Sequence, residues 1–150
     1  MEQLETRKEF DKEALKRMIE AKILEIIINR QKVSVGNFLC SAYIAQILSD
    51  LATSQPDSWY VVDYVEKSNI PVKCQMAADL CFIYMSVFPE RMNRNTMSPN
   101  FYKEYGASLY HHYYHLTNRI IGFHMCVKYV EMAEITRQAL KRFKLTLKTA

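Results

Sequence analysis

The residue best placed to take part in chemistry is a lone acid, Asp79, in the most apolar stretch of the chain. Within residues 74–88 only one glutamine, Asp79 and one serine interrupt the apolar side chains. Burying a carboxylate is costly unless it is paired or hydrogen-bonded. The sequence therefore predicts either a structural hydrogen-bond network around Asp79 or a carboxylate that serves a ligand or catalytic pocket. A rotated helix that leaves Asp79 in water is the remaining alternative.

Tyrosine is the second chemical signal, with ten in 150 residues and five of them within residues 99–117. At helical spacing such rings are most simply core residues, but tyrosine also suits partner surfaces and amphipathic pockets. Gly106 has no side chain and would let a second helix or a ligand approach closely. We predict that any ligand site would consist of five residues: Asp79, Tyr102, Gly106, Tyr110 and His112.

The histidines and cysteines do not form a recognisable catalytic or metal-binding motif. His111 and His115 share a helix face, but His112 stands where the zinc-protease motif requires glutamate, so we expect solvated histidines and no metal. The four cysteines contain no C-x-x-C pair and are expected to be buried thiols. Phosphate-binding loops and nucleophile motifs are also missing, and no cofactor is predicted.

Charge is unevenly distributed along the chain, with an acidic internal stretch at 36–65 and a basic C-terminal end. The formal net charge is +4, and the basic residues concentrate near the C-terminus. Arg137, Lys141, Arg142 and Lys144 could contact phosphates. Cations near a helix C-terminus are also favoured by the helix dipole, and we do not expect nucleic acid as a partner.

The elements that must position these residues are predicted to be helices in one all-α domain spanning 1–150. Apolar residues recur at helical spacing almost throughout. The 71–88 helix is apolar nearly all round, which predicts a central position in a bundle of about five helices. A strand at 59–62 would lack a partner, so a short helix is preferred there. The predicted helices cover 7–30, 37–52, 59–67, 71–88, 99–117 and 120–145.

Three segments together carry a resemblance: the stretch from Asp79 to Arg91, the run from Ser98 to Tyr102, and then Gly106 and Tyr110. They resemble a group of uncharacterised bacterial helical proteins, which have an apolar helix that begins at Asp and exits at Phe-Pro-Glu. A Ser-x-x-Tyr-Tyr-x-x-x-Gly-x-x-x-Tyr pattern follows in that group, with Phe101 replacing its first tyrosine here. The resemblance implies a bacterial origin and an all-helical fold, and it carries no activity.

Three functions remain open on these grounds. The leading hypothesis is a non-enzymatic protein-interaction or oligomerisation module, because the tyrosine-rich faces come without a complete catalytic set. The second is a small-molecule-binding protein or enzyme with a pocket at Asp79, and the third is a nucleic-acid-associated regulator. No signal-peptide core and no apolar run of about 20 residues is visible, so we expect a soluble cytoplasmic protein without a membrane span.

Overall fold

The computed structural model describes residues 2–92 and 98–143, with side chains for 11–91 and 98–141. This part of the chain contains eight helices and no strand, which confirms the all-α prediction. The helices are α1 (Glu2–Asn29), α2 (Val35–Thr53), α3 (Val62–Val65), α4 (Pro71–Ser86), α5 (Pro89–Met92), α6 (Pro99–Thr117), α7 (Ile120–Val127) and α8 (Tyr129–Phe143).

The predicted count of about five helices is wrong, and even the six predicted ranges are exceeded by two, for the following reasons. The short helix α5 lies where the sequence favoured a polar connection. The predicted 120–145 helix is split at Lys128, whose backbone leaves helical geometry at φ −98° and ψ 10°. Neither glycine nor proline marks this break, and the apolar spacing continues across it. The short helix expected at 59–67 forms only as α3, after a segment of bends and turns.

Local capping chemistry fixes where the longer helices begin. Ser34 caps α2 by accepting a hydrogen bond from the backbone N–H of Asn37 at 3.0 Å. Ser98 does the same for α6 by accepting from Phe101 N–H, and Pro99 occupies the first turn, where no N–H is needed. Asn118 ends α6 in the left-handed conformation at φ 56°.

The core is built around α4, which packs against α3, α5, α6 and α8. Most of its side chains from Cys74 to Ser86 are buried, as expected for a helix that is apolar nearly all round. It ends at Ser86, because Phe88 precedes a proline and is disfavoured from helical geometry. Helices α1 and α2 pack on each other, and α7 covers α6 and α2. Among the described residues, none of the helices combines the length and apolarity needed to cross a bilayer.

Candidate functional site

The Asp79 carboxylate is held by two tyrosine hydroxyls that come from different helices. Tyr43 on α2 and Tyr110 on α6 both donate to Oδ1 of Asp79, the latter at 2.6 Å. Gln75, one turn before Asp79 on α4, donates from Nε2 to the Tyr43 hydroxyl at 3.1 Å. The two tyrosine rings meet edge to face with centroids 6.2 Å apart. Asp79 is therefore the point at which α2, α4 and α6 are joined by polar contacts.

This environment changes the acidity of all three groups. Burial raises the pKa of the Asp79 carboxyl from its ordinary 3.8 to about 6, and the hydrogen bonds from Tyr110 and Tyr43 limit that rise. Burial, and then the Asp79 charge, raise the pKa of Tyr43 and Tyr110 well above the ordinary value. The two hydroxyls thus keep their protons at neutral pH and act as donors, while Asp79 titrates close to neutrality.

Asp79 also lines a cavity of about 430 Å³, which lies on the side of α4 that faces α2 and α3. Most of its lining surface is apolar and comes from six residues: Ile47, Leu51, Pro56, Met76, Leu80 and Ile83. The polar lining residues are Lys12, Asp50, Thr53, Ser54, Tyr64 and Asp79. A volume in the range of roughly 300–1,000 Å³, with a mostly apolar surface and polar groups at defined positions, is typical of small-molecule sites.

Two helical stripes produce this cavity. On α4, Met76, Asp79 and Ile83 follow one another at intervals of three and four residues and face the same side. Tyr43, Ile47 and Asp50 form the matching stripe on α2. The two helices are not closely packed against each other along this length, and the space between the stripes remains open.

The loop between α2 and α3 covers one end of the cavity and is fixed by hydrogen bonds. The Tyr64 hydroxyl donates to the Ser58 carbonyl at 3.0 Å and accepts from the Ser58 N–H at 2.8 Å. Tyr84 on α4 donates to the Trp59 carbonyl at 2.7 Å. Because these bonds hold the loop on α3 and α4, its residues Ser54 and Pro56 form a defined wall.

A half-exposed ion pair occupies the polar side of the cavity. Lys12 on α1 lies 2.6 Å from Oδ1 of Asp50 on α2. Gln46 Nε2 donates to the same oxygen at 3.0 Å. The Asp50 charge also contributes a little to the raised pKa of Asp79. Two carboxylates and one ammonium group therefore face the cavity from three helices.

The structure brings together only part of the predicted ligand site. Tyr110 contacts Asp79 as described, but it closes the α6 side of the carboxyl and is not among the cavity-lining residues. Tyr102 is buried away from Asp79, and its carbonyl accepts a hydrogen bond from Tyr129 at 2.8 Å. Gly106 serves that same contact, because a Cβ there would lie 2.1 Å from the Tyr129 hydroxyl oxygen.

The histidines of α6 lie outside the site. His112 is exposed, and it is not among the residues that line the cavity. His111 and His115 are exposed as well, with ring centroids 4.5 Å apart. Across the side chains that the structure describes, no three potential metal ligands come together.

The basic residues of α8 are partly committed to the fold. Arg137 donates from Nη2 to the Met85 carbonyl at 3.0 Å, at the last turn of α4, where a cation is favoured by the helix dipole. Lys141 is exposed. The side chains of Arg142 and Lys144 lie outside the described residues.

Three residues of α2 belong to the site although no motif in the sequence pointed to them. Tyr43, Ile47 and Asp50 were visible as residues on one face of α2, and Tyr43 is the only tyrosine of that helix. The signal that could have identified them is their spacing of four and three residues, which gives α2 a stripe of the same length as the 76–83 stripe of α4. Lys12 and Tyr64 carry no such signal, since only the packing of α1 and α3 brings them to the cavity.

Comparison of the chain with protein-family models, with curated proteins and with solved structures found no match. The resemblance of the 79–110 stretch to bacterial helical proteins stays a prediction. The function must accordingly be argued from the site itself.

Proposed function

We propose that this protein binds a small, largely apolar molecule in the cavity beside Asp79. The observation that carries the proposal is a cavity of about 430 Å³ with a mostly apolar surface and a half-buried carboxylate at its edge. A carboxylate with a raised pKa in a concave apolar site is a common mark of a functional pocket. This was the second of the three sequence-based hypotheses, although its pocket was expected on the α6 side of Asp79.

The interaction-module hypothesis keeps only part of the feature that motivated it, because Tyr105 and Tyr114 are half-buried and the other three tyrosines of α6 are buried. Tyr102, Tyr110 and Tyr113 are buried in the core, so they do not form a tyrosine-rich surface on α6. Protein partnership or self-association stays a prediction, which size-exclusion chromatography and pull-down experiments would test. The nucleic-acid hypothesis is weakened in the same way, because Arg137 is engaged with the end of α4.

Binding of a neutral fluorescent probe, N-phenyl-1-naphthylamine, tests the proposal. We expect one saturable site whose affinity falls at least about tenfold in Met76→Trp, because the larger side chain fills the cavity. Met18→Trp is the matched control, since Met18 is an exposed methionine of α1 that does not line the cavity. Ile47→Phe serves as a second filling variant if Met76→Trp does not fold. Absence of saturable binding, or binding that both filling variants leave unchanged, would refute the proposal.

A further inference from the structure

The Asp79 carboxylate is unevenly satisfied. Both tyrosine hydroxyls donate to Oδ1, whereas no donor within the described residues forms a hydrogen bond with Oδ2. No cation of the described part of the chain forms an ion pair with Asp79 either. Asp79 is half-buried, and an ionised carboxylate that is partly removed from water and lacks a cationic partner is unfavourable. A ligand that brings its own cation would remove this cost.

The charges around the cavity favour the same kind of ligand. Among the lining side chains that the structure describes, Lys12 is the one basic residue, and it is already paired with Asp50. Asp79 therefore leaves one uncompensated negative charge when it is ionised. An anionic ligand would meet two carboxylates, and a neutral ligand would leave the Asp79 charge unpaired.

The shape of the cavity fixes where the rest of the ligand would lie. Met76 and Ile83 flank Asp79 on α4, and Ile47 faces them from α2. Because these three residues line the same cavity as Asp79, a ligand paired with the carboxylate would have apolar side chains beside it. Alkyl or aryl carbons placed there would be removed from water, at roughly 25 cal/mol per Å² of apolar surface.

On this geometry, and resting on the proposed function, we infer that the cavity selects an apolar amine: its ammonium group pairs with Asp79 Oδ2, and its hydrocarbon part lies on Ile47, Met76 and Ile83. Tyr43 and Tyr110 act as positioning residues, because their hydroxyls hold Oδ1 and leave Oδ2 for the ligand. The negative charge of Asp79 selects for a cation. The apolar side chains of the cavity select against long polar chains, because polar groups placed there would lose hydrogen bonds to water.

Three probes of matched length, n-octylamine, n-octanol and n-octanoate, test the inference by displacement of N-phenyl-1-naphthylamine at about pH 8, where Asp79 is ionised. A charge-assisted hydrogen bond in a partly buried site predicts that octylamine displaces the probe at roughly tenfold to hundredfold lower concentration than octanol. Octanoate is expected to be the weakest of the three. In Asp79→Asn the preference of amine over alcohol should fall to within about threefold.

Lys12→Met provides a second test that does not alter Asp79. Removing the one lining cation should tighten octylamine binding several-fold and change octanol binding little, because only the amine carries charge. If octanol competes as well as octylamine in the wild-type protein, the amine inference is overturned, while the probe binding itself still supports a small-molecule site. If the probe does not bind, the proposed function fails and the inference fails with it.

Discussion

Replacing Asp79 with asparagine should stabilise the protein at alkaline pH and much less at acidic pH. The asparagine carbonyl can still accept the hydrogen bonds from Tyr43 and Tyr110, but it carries no charge. In the wild-type protein the pKa of Asp79 rises from 3.8 in its ordinary setting to about 6 on folding. The folded state therefore binds the proton more tightly, and the resulting stability is present below the unfolded pKa and lost as pH rises through the folded pKa.

The size of the effect follows from that rise. A shift of this extent corresponds to about 3 kcal/mol between fully protonated and fully ionised Asp79. At about pH 4.5 the folded carboxyl is protonated, and the wild-type protein recovers about 2 kcal/mol of this amount. The recovery is incomplete because the unfolded carboxyl becomes fully protonated only at lower pH. The free energy of unfolding of Asp79→Asn minus that of wild type, measured by urea denaturation, should thus be about 2 kcal/mol larger at about pH 8 than at about pH 4.5, which means that the variant gains stability at the higher pH.

Asp57→Asn is the control for general effects of charge, because Asp57 is an exposed acid in the loop before α3. Its difference from wild type should stay within about 0.5 kcal/mol at both pH values. Should the Asp79→Asn difference be the same at both pH values, Asp79 would not be the half-buried, pH-sensitive acid on which the site depends.

Two further predictions concern the core. Gly106→Ala should lower the free energy of unfolding by about 1–3 kcal/mol, despite the better helix propensity of alanine, because the new methyl group would overlap the buried Tyr129 side chain. Adding Tyr129→Phe should recover part of the loss. A neutral or stabilising Gly106→Ala would contradict this packing. Among the four thiols, Cys126 should react first with Ellman's reagent in the native protein, because it is only partly buried. Faster labelling of any of the other three would show that the core opens at that residue.

The fold could be predicted from the sequence where one local signal decided the outcome. A serine before an apolar helical run, as at Ser34, and a serine followed by proline, as at Ser98, are typical helix starts, and the structure has the caps of α2 and α6 at these two residues. Apolar spacing placed α4 in the core. The split at Lys128 could not be seen, since nothing in the local sequence opposes a continuous helix there.

The site was predictable only in part, for a physical reason. That Asp79 needs donors follows from the cost of burying a charge, and Tyr110 was among the expected ones. Which face of α4 has open space beside it depends on how far apart α2 and α4 pack, and that distance is a tertiary property. The sequence therefore indicated the acid and one donor, and it put the pocket on the side of α4 that the tyrosines of α6 fill.

The most direct measurement is a titration of the Asp79 carboxyl carbon by NMR, with and without saturating n-octylamine. We expect a midpoint of about 6 in the free protein, and a lower midpoint when the amine is bound, since a nearby ammonium group favours the ionised form. Octanol should not lower it. A free-protein midpoint near the ordinary 3.8, or one that octylamine leaves unchanged, would contradict binding of an amine at this carboxylate.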